Sequence, residues 1–224
     1  EREEQDAWEE DLLTSCGDGI GWIVKVRREN FLPTFESMLK PLVLPLLQPQ
    51  LEPSHLAFSS VPVPVPPSQQ SFALCLCIDV LEHCGDGGRR SIFGALLPAL
   101  LRGCSDDVPA STRQACAYGL GVAADHGGEE FDAFSAEAFR LLMGLVEQGR
   151  SAAAESDEDH EEDISGVTDN AISAALKVLF SRLNPVKSAT VAPAVKVLLG
   201  MLPLTSDLVE AKDCHRRIVG LVCS

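Results

Sequence analysis

Between Arg113 and Gly128 the hydrophobic positions form one narrow stripe. In RQACAYGLGVAADHGG, Cys116, Leu120, Ala123 and Ala124 recur at the i, i+4, i+7, i+8 spacing of a buried helix face. Gln114, Asp125 and His126 fall off the stripe, and Gly127-Gly128 tolerates the left-handed conformation that ends a helix. Moving back 43 positions, Ala73, Leu76, Cys77, Val80, Leu81 and Cys84 repeat the stripe, with His83 on His126 and Gly85 on Gly128. Moving forward 56, Ile172, Ala175, Leu176, Leu179, Phe180 and Leu183 repeat it again. A helix that recurs at such offsets marks a helical repeat array, in which each unit buries its apolar face against its neighbours.

The helices between these fit the same scheme. Residues 4–28 predict a helix with Leu13, Cys16, Ile20 and Val24 inward, weakened by Gly17, Gly19 and Gly21. Residues 31–48 predict a first helix burying Phe35, Met38, Leu39, Leu42, Val43, Leu46 and Leu47, kinked or broken by Pro41 and Pro45. Its partner spans 68–84, and 85–90 (GDGGRR) reads as a turn. Residues 91–104 place Phe93, Leu96, Leu97, Leu100, Leu101 and Cys104 inward, with a kink at Pro98. Residues 132–148 do so with Phe134, Ala138, Leu141, Leu142, Leu145 and Val146. Helices over 168–183, 190–202 (Val191, Val195, Leu198, Leu199, Leu202) and 208–223 (Ala211, Cys214, Ile218, Val219, Val222) complete the set. The expectation is an all-α chain of about four and a half stacked helix pairs, one array over 1–224 with almost no sheet.

Two insertions interrupt the array. Residues 49–67 are Pro-rich, and VPVPVPP within them is expected to be extended, either as a plain surface loop or as a ligand for a Pro-binding groove. Residues 150–166 are acidic and of low complexity, with seven acidic residues between 155 and 163, and are expected to form a mobile loop. Ser156 there carries a weak acid-directed kinase motif.

Composition narrows the function classes. The formal charge of −15 disfavours a phosphate backbone as partner and suits a basic protein, although acidity also serves solubility alone. The eight cysteines include no CxxC pair, so they read as reduced, buried small hydrophobes of a cytosolic or nuclear protein, and no metal site is expected. No segment is apolar enough to span a membrane, and the acidic start EREEQDAWEEDL is no signal peptide. The chain lacks an initial Met and opens inside a helix, which suggests a fragment of a longer protein.

Four blocks then carry a resemblance: LCLCIDVLEHCG (74–85), TRQACAYGLGVAADHGG (112–128), DNAISAALKVL (169–179) and MLPLTSD (201–207). In that order they resemble the C-terminal HEAT repeats of the importin-beta, or karyopherin-beta, family of nuclear transport receptors. The branch they look most like is the one called importin-five or karyopherin-beta-three. The resemblance implies an alpha-alpha superhelix of paired helices, the first of each pair on the convex side and the second on the concave, cargo-facing side. It also implies basic cargo proteins, Ran-GTP and Phe-Gly nucleoporins as partners, shuttling between cytoplasm and nucleus through the pore, no cofactor and no catalysis. At Ile78 the family shows a second acidic residue, so this chain departs from the pattern beside Asp79.

Candidate protein-binding residues follow from this. Asp79 and Glu82 lie on the polar side of a second helix, where carboxylates would meet Lys or Arg of a cargo; a solvated face is the plain reading. Asn170 is a cargo backbone contact or a helix cap, Arg113 an inter-repeat contact or a surface charge, and Asp125 lies off the buried stripe. Glu82-His83-Cys84 is no nucleophile pair, because helix neighbours point about 100° apart. GDGGRR follows a helix and lacks the spacing of a phosphate loop. Gly119 and Gly121, inside a helix, imply close approach of a neighbour. The competing readings are a HEAT scaffold of a non-transport complex, an enzyme, and a receptor segment that acts only as a spring.

Overall fold

The computed structural model describes residues 2–55, 61–105, 107–155, 161–183 and 192–222. The fold is all-α; among the described residues the only paired strands are β1 (Gln50–Leu51) and β2 (Val63–Pro64). The chain separates into two compact units, Glu1–Leu100 and Leu101–Ser224.

In the first unit, α1 (Arg2–Arg27) and α4 (Pro67–His83) lie side by side and parallel: Gly17 faces Phe72 and, one turn on, Gly21 faces Asp79. A Cβ at Gly17 would stand 3.3 Å from Phe72 Cδ2. The glycines that weaken this helix on its own are therefore what lets α4 approach. They displace Cys16, expected inward, to an exposed position, while Leu13, Ile20 and Val24 stay on the packed side.

The segment between them is broken as its prolines demand. A 3-10 turn (Arg28–Phe31) leads to α2 (Leu32–Thr34), a π-helical turn (Phe35–Leu39) and α3 (Lys40–Leu46). Pro41 has no N–H to give the carbonyl one turn back, and the wide turn lies just before it. The wider turn sets the inward spacing to steps of four, with Phe35, Val43 and Leu47 buried and Leu39 half-buried between them. Met38 and Leu42, expected inward, are rotated out to 64% and 66% exposure.

All six stripe residues of α4 from Ala73 to Cys84 are buried, and Leu74 and Ile78 are buried as well, so two sides of the helix are covered. Cys75, expected inside, is exposed. Gly85 takes a φ of +58 and opens α5 (Gly85–Arg102), so residues 85–90 form its first turns rather than a loop. Gly88 makes this possible: a Cβ there would stand 2.6 Å from the Val80 carbonyl oxygen. Phe93, Leu96, Leu97 and Leu100 are buried as read, and α5 continues through Pro98.

In the second unit, α6 (Ala110–His126) and a 3-10 segment (Gly128–Phe134) precede α7 (Ser135–Glu155), α8 (Glu161–Val178), a π turn (Leu179–Leu183), α9 (Ala192–Gly200) and α10 (Leu208–Val222). Gly128 supplies the left-handed residue after α6 (φ +63). The 3-10 segment buries Phe131 and leaves Phe134, expected inward, 40% exposed. Ala138, Leu142, Leu145 and Val146 are buried as read. Of the acidic stretch expected as a loop, residues 150–155 and 161–166 are helical: α7 runs on to Glu155, helped by Ala152, Ala153 and Ala154, and α8 begins at Glu161. Residues 156–160, Ser156 among them, lie outside the described residues, as do the side chains of Leu183, Val191 and Val222.

Helices α6, α8 and α10 form a parallel row. Gly121 of α6 faces Ala174 of α8, with a would-be Cβ 3.2 Å from its Cα, as its place in a tight seam predicted. Asp169 and Ser173 of α8 meet Ser206 and Glu210. α8 is buried from Val167 to Leu179, polar residues included, because α6, α7 and α10 surround it. Over Val167–Leu179 it therefore has no open side to offer a partner, unlike the cargo-facing second helix that the resemblance implies. On α9 and α10, Leu198, Ala211 and Cys214 are buried; Leu199 and Val219, expected inward, are exposed, and Glu210 is buried instead. Burial pushes the thiols of Cys77 and Cys104 up to about 12 and those of Cys84 and Cys214 up to about 11, so these cysteines act as apolar filling rather than nucleophiles.

Candidate protein-binding face

Two of the sequence-derived candidates come together in the first unit. Asp79 and Glu82 sit one turn apart on α4, and the parallel α1 brings Asp18 and Lys25 close enough to act on the Asp79 carboxyl. Asp79 is half-buried, because it lies over Gly21: a Cβ at Gly21 would stand 2.5 Å from Asp79 Oδ2. It is thus not the exposed carboxylate that its polar position implied. Burial pushes its carboxyl up to about 6, Glu82 and Asp18 adding to the shift and Lys25 opposing it. Glu82 keeps 29% of its side chain open, 3.9 Å from His83 Nε2. Trp22 is 66% exposed, and the Lys25 ammonium lies over its ring at 5.6 Å from the centroid.

Three carboxylates gathered on two adjacent helices can receive the charge of a Lys or Arg of a partner, with Lys25, which lies over Trp22, offsetting part of their field. Asp18, Trp22 and Lys25 were not picked out from the sequence. The signal available was Trp22 itself, a large aromatic set between Gly21 and Lys25 and off the buried stripe of its helix.

The remaining candidates lie in the second unit, and they serve its packing. Asp125 holds Arg217 of α10 through two bonds, Nη1 to Oδ1 at 3.0 Å and Nη2 to Oδ2 at 2.6 Å. Asn170 is 3% exposed; its amide donates to the Gly166 carbonyl at 3.1 Å and to Asp207 Oδ2 at 3.4 Å. Both therefore serve the packing of their own unit. Arg113 is half-buried with an Nε that has no hydrogen-bond partner.

The polar core around α8 was also missed. Lys177 is 6% exposed and meets Glu210 at 2.8 Å and Asp213 at 4.0 Å, with Tyr118 beneath its ammonium. Ser173 donates to the same Glu210 carboxylate. Asp169 Oδ2 accepts the backbone N–H groups of Thr205, Ser206 and Asp207 at 2.9, 2.6 and 3.1 Å. These partners stand 33 to 38 positions apart, beyond any local pattern. Among the described residues no group of three His, Cys, Asp or Glu is placed to hold a metal, and no helix is long and apolar enough to cross a membrane. No family model matches the chain.

Proposed function

We propose that the chain is a HEAT-repeat segment of a nuclear import receptor of the importin-beta kind, which binds basic cargo and carries it through the pore under control of Ran-GTP, without cofactor or catalysis. The observation that carries this reading is the acidic α1–α4 face, where Asp18 and Glu82 gather around Asp79. A lysine-rich segment matches it in charge, and a chain of formal charge −15 speeds capture of such a partner.

Two further features support the reading. In each unit, second helices run parallel and side by side with a first helix between them in sequence, the arrangement that a superhelical array repeats. The four sequence blocks that resemble the importin-beta family include α4, α6 and α8, the helices that build these rows. Ran loaded with GTP or GDP, immobilised and offered the full-length protein, tests the proposal. Retention by the GTP form, with release of bound cargo, is the expected result. Equal retention by both forms, or none, would favour a permanent scaffold of another complex.

A further inference from the structure

Residues 61–67, VPVPVPP, are not used by the acidic face. Strand pairing holds them extended: Val63 lies opposite Leu51, Pro64 opposite Gln50, and the Val65 N–H donates to the Pro49 carbonyl at 3.1 Å. Side chains alternate along such a backbone. Val65, 9% exposed, anchors the segment, while Pro62, Pro64 and Pro66 on the other side are exposed, as are Val61 and Val63. Pro66, extended at φ −58 and ψ 140, ends the segment and opens α4, its carbonyl accepting the Gln70 N–H at 3.0 Å.

The hydrogen-bonding groups of Val63 and Val65 face β1, so the opposite edge belongs to the prolines. It has carbonyls and no N–H. A further strand finds no donors there and cannot add to the sheet. A groove of Tyr and Trp rings is the complementary surface: its rings stack on the prolines, and its O–H and N–H groups donate to carbonyls that need no donor in return. The segment is already ordered, which lowers the entropy lost on binding. Charge narrows the partner. No Lys or Arg occurs between Pro41 and Gly88, so nothing here would engage an acidic patch beside such a groove.

We propose that Val61–Pro67 is a recognition segment for a protein carrying an uncharged, aromatic polyproline II groove of the WW type. This does not depend on the import reading. The test is titration of an isotope-labelled WW domain with the whole protein, followed by NMR. The expected result is a shift of the groove Trp and Tyr resonances, reversed by free VPVPVPP peptide. In Pro62→Ala/Pro64→Ala, affinity should fall about tenfold or more with an unchanged melting curve. Absence of groove shifts would overturn the proposal, as would undiminished binding by the double variant or failure of the peptide to compete. An SH3 domain with an acidic patch binding as tightly as the WW domain would overturn the choice of an uncharged groove.

Discussion

Arg217 of α10 meets Asp125 of α6 as a two-pronged fork, Nη1 donating to Oδ1 at 3.0 Å and Nη2 to Oδ2 at 2.6 Å. Its Nε donates to Asp213 at 2.6 Å, so one cation joins two helices 92 positions apart and steadies a third group on its own helix. Burial disfavours the cation, but hydrogen bonds to Asp213 and Asp125 outweigh it and raise its pKa. A double-mutant cycle with Arg217→Met and Asp125→Ala should give a coupling of about 1–2 kcal/mol in denaturant unfolding, above that of an exposed pair. Additive effects would mean that the fork contributes nothing beyond its parts.

Two glycines of α7 should respond in opposite directions to the same change. Gly144 has open space around it, so Gly144→Ala should stabilise by up to about 1 kcal/mol through helix propensity. Gly149 lies against Thr168, and a Cβ would stand 2.8 Å from its Cγ2 and overlap its hydroxyl. Gly149→Ala should destabilise by about 1–3 kcal/mol. Thermal unfolding of both variants reads the difference, and equal shifts would contradict this α7–α8 packing.

Asp169 is the acceptor on which the turn into α10 is built. Asp169→Ala leaves three backbone N–H groups without it, at a cost of about 2–3 kcal/mol. Faster amide exchange at 205–207 than at α6 would accompany the loss. Uniform exchange across the unit would place the damage elsewhere.

How much of this was legible follows from range. The stripe Ala73–Cys84 could be read because helix periodicity is local, and Pro41 announced its break because a missing N–H acts within one turn. Periodicity says which residues share a face but not which neighbour covers it. Met38, Leu42, Leu199 and Val219 were therefore placed inside on hydrophobicity alone, while Gly17 and Gly21 hold the contact with α4. The carboxylates Asp79 and Glu82 were found because they face off a stripe. Asp18 comes from a helix more than 50 positions away, and Asp125 and Asn170 were claimed by partners 92 and 37 positions off.

Asp79 gives a pH signature. Its folded pKa, pushed up to about 6, exceeds the usual 3.8, so between these values the folded state binds the proton more tightly than the unfolded state. The contribution of this group to stability is therefore highest below the lower value and declines as pH rises through the upper one. Asp79→Asn should remove that decline and stabilise the protein at neutral pH by about 1 kcal/mol, discounted for partial exposure. Melting temperatures of the two proteins should converge toward acid pH; a constant gap would show that the carboxyl titrates normally.

The most direct test of the acidic face is reversal of its two more open carboxylates in the full-length protein. Asp18→Lys with Glu82→Lys leaves the half-buried Asp79 in place, so thermal stability should change little. Affinity for a lysine-rich cargo segment, measured by calorimetry across a salt series, should fall about tenfold or more, and its dependence on salt should flatten. Unchanged affinity with an unchanged salt slope would contradict the account and remove the α1–α4 face as the cargo site.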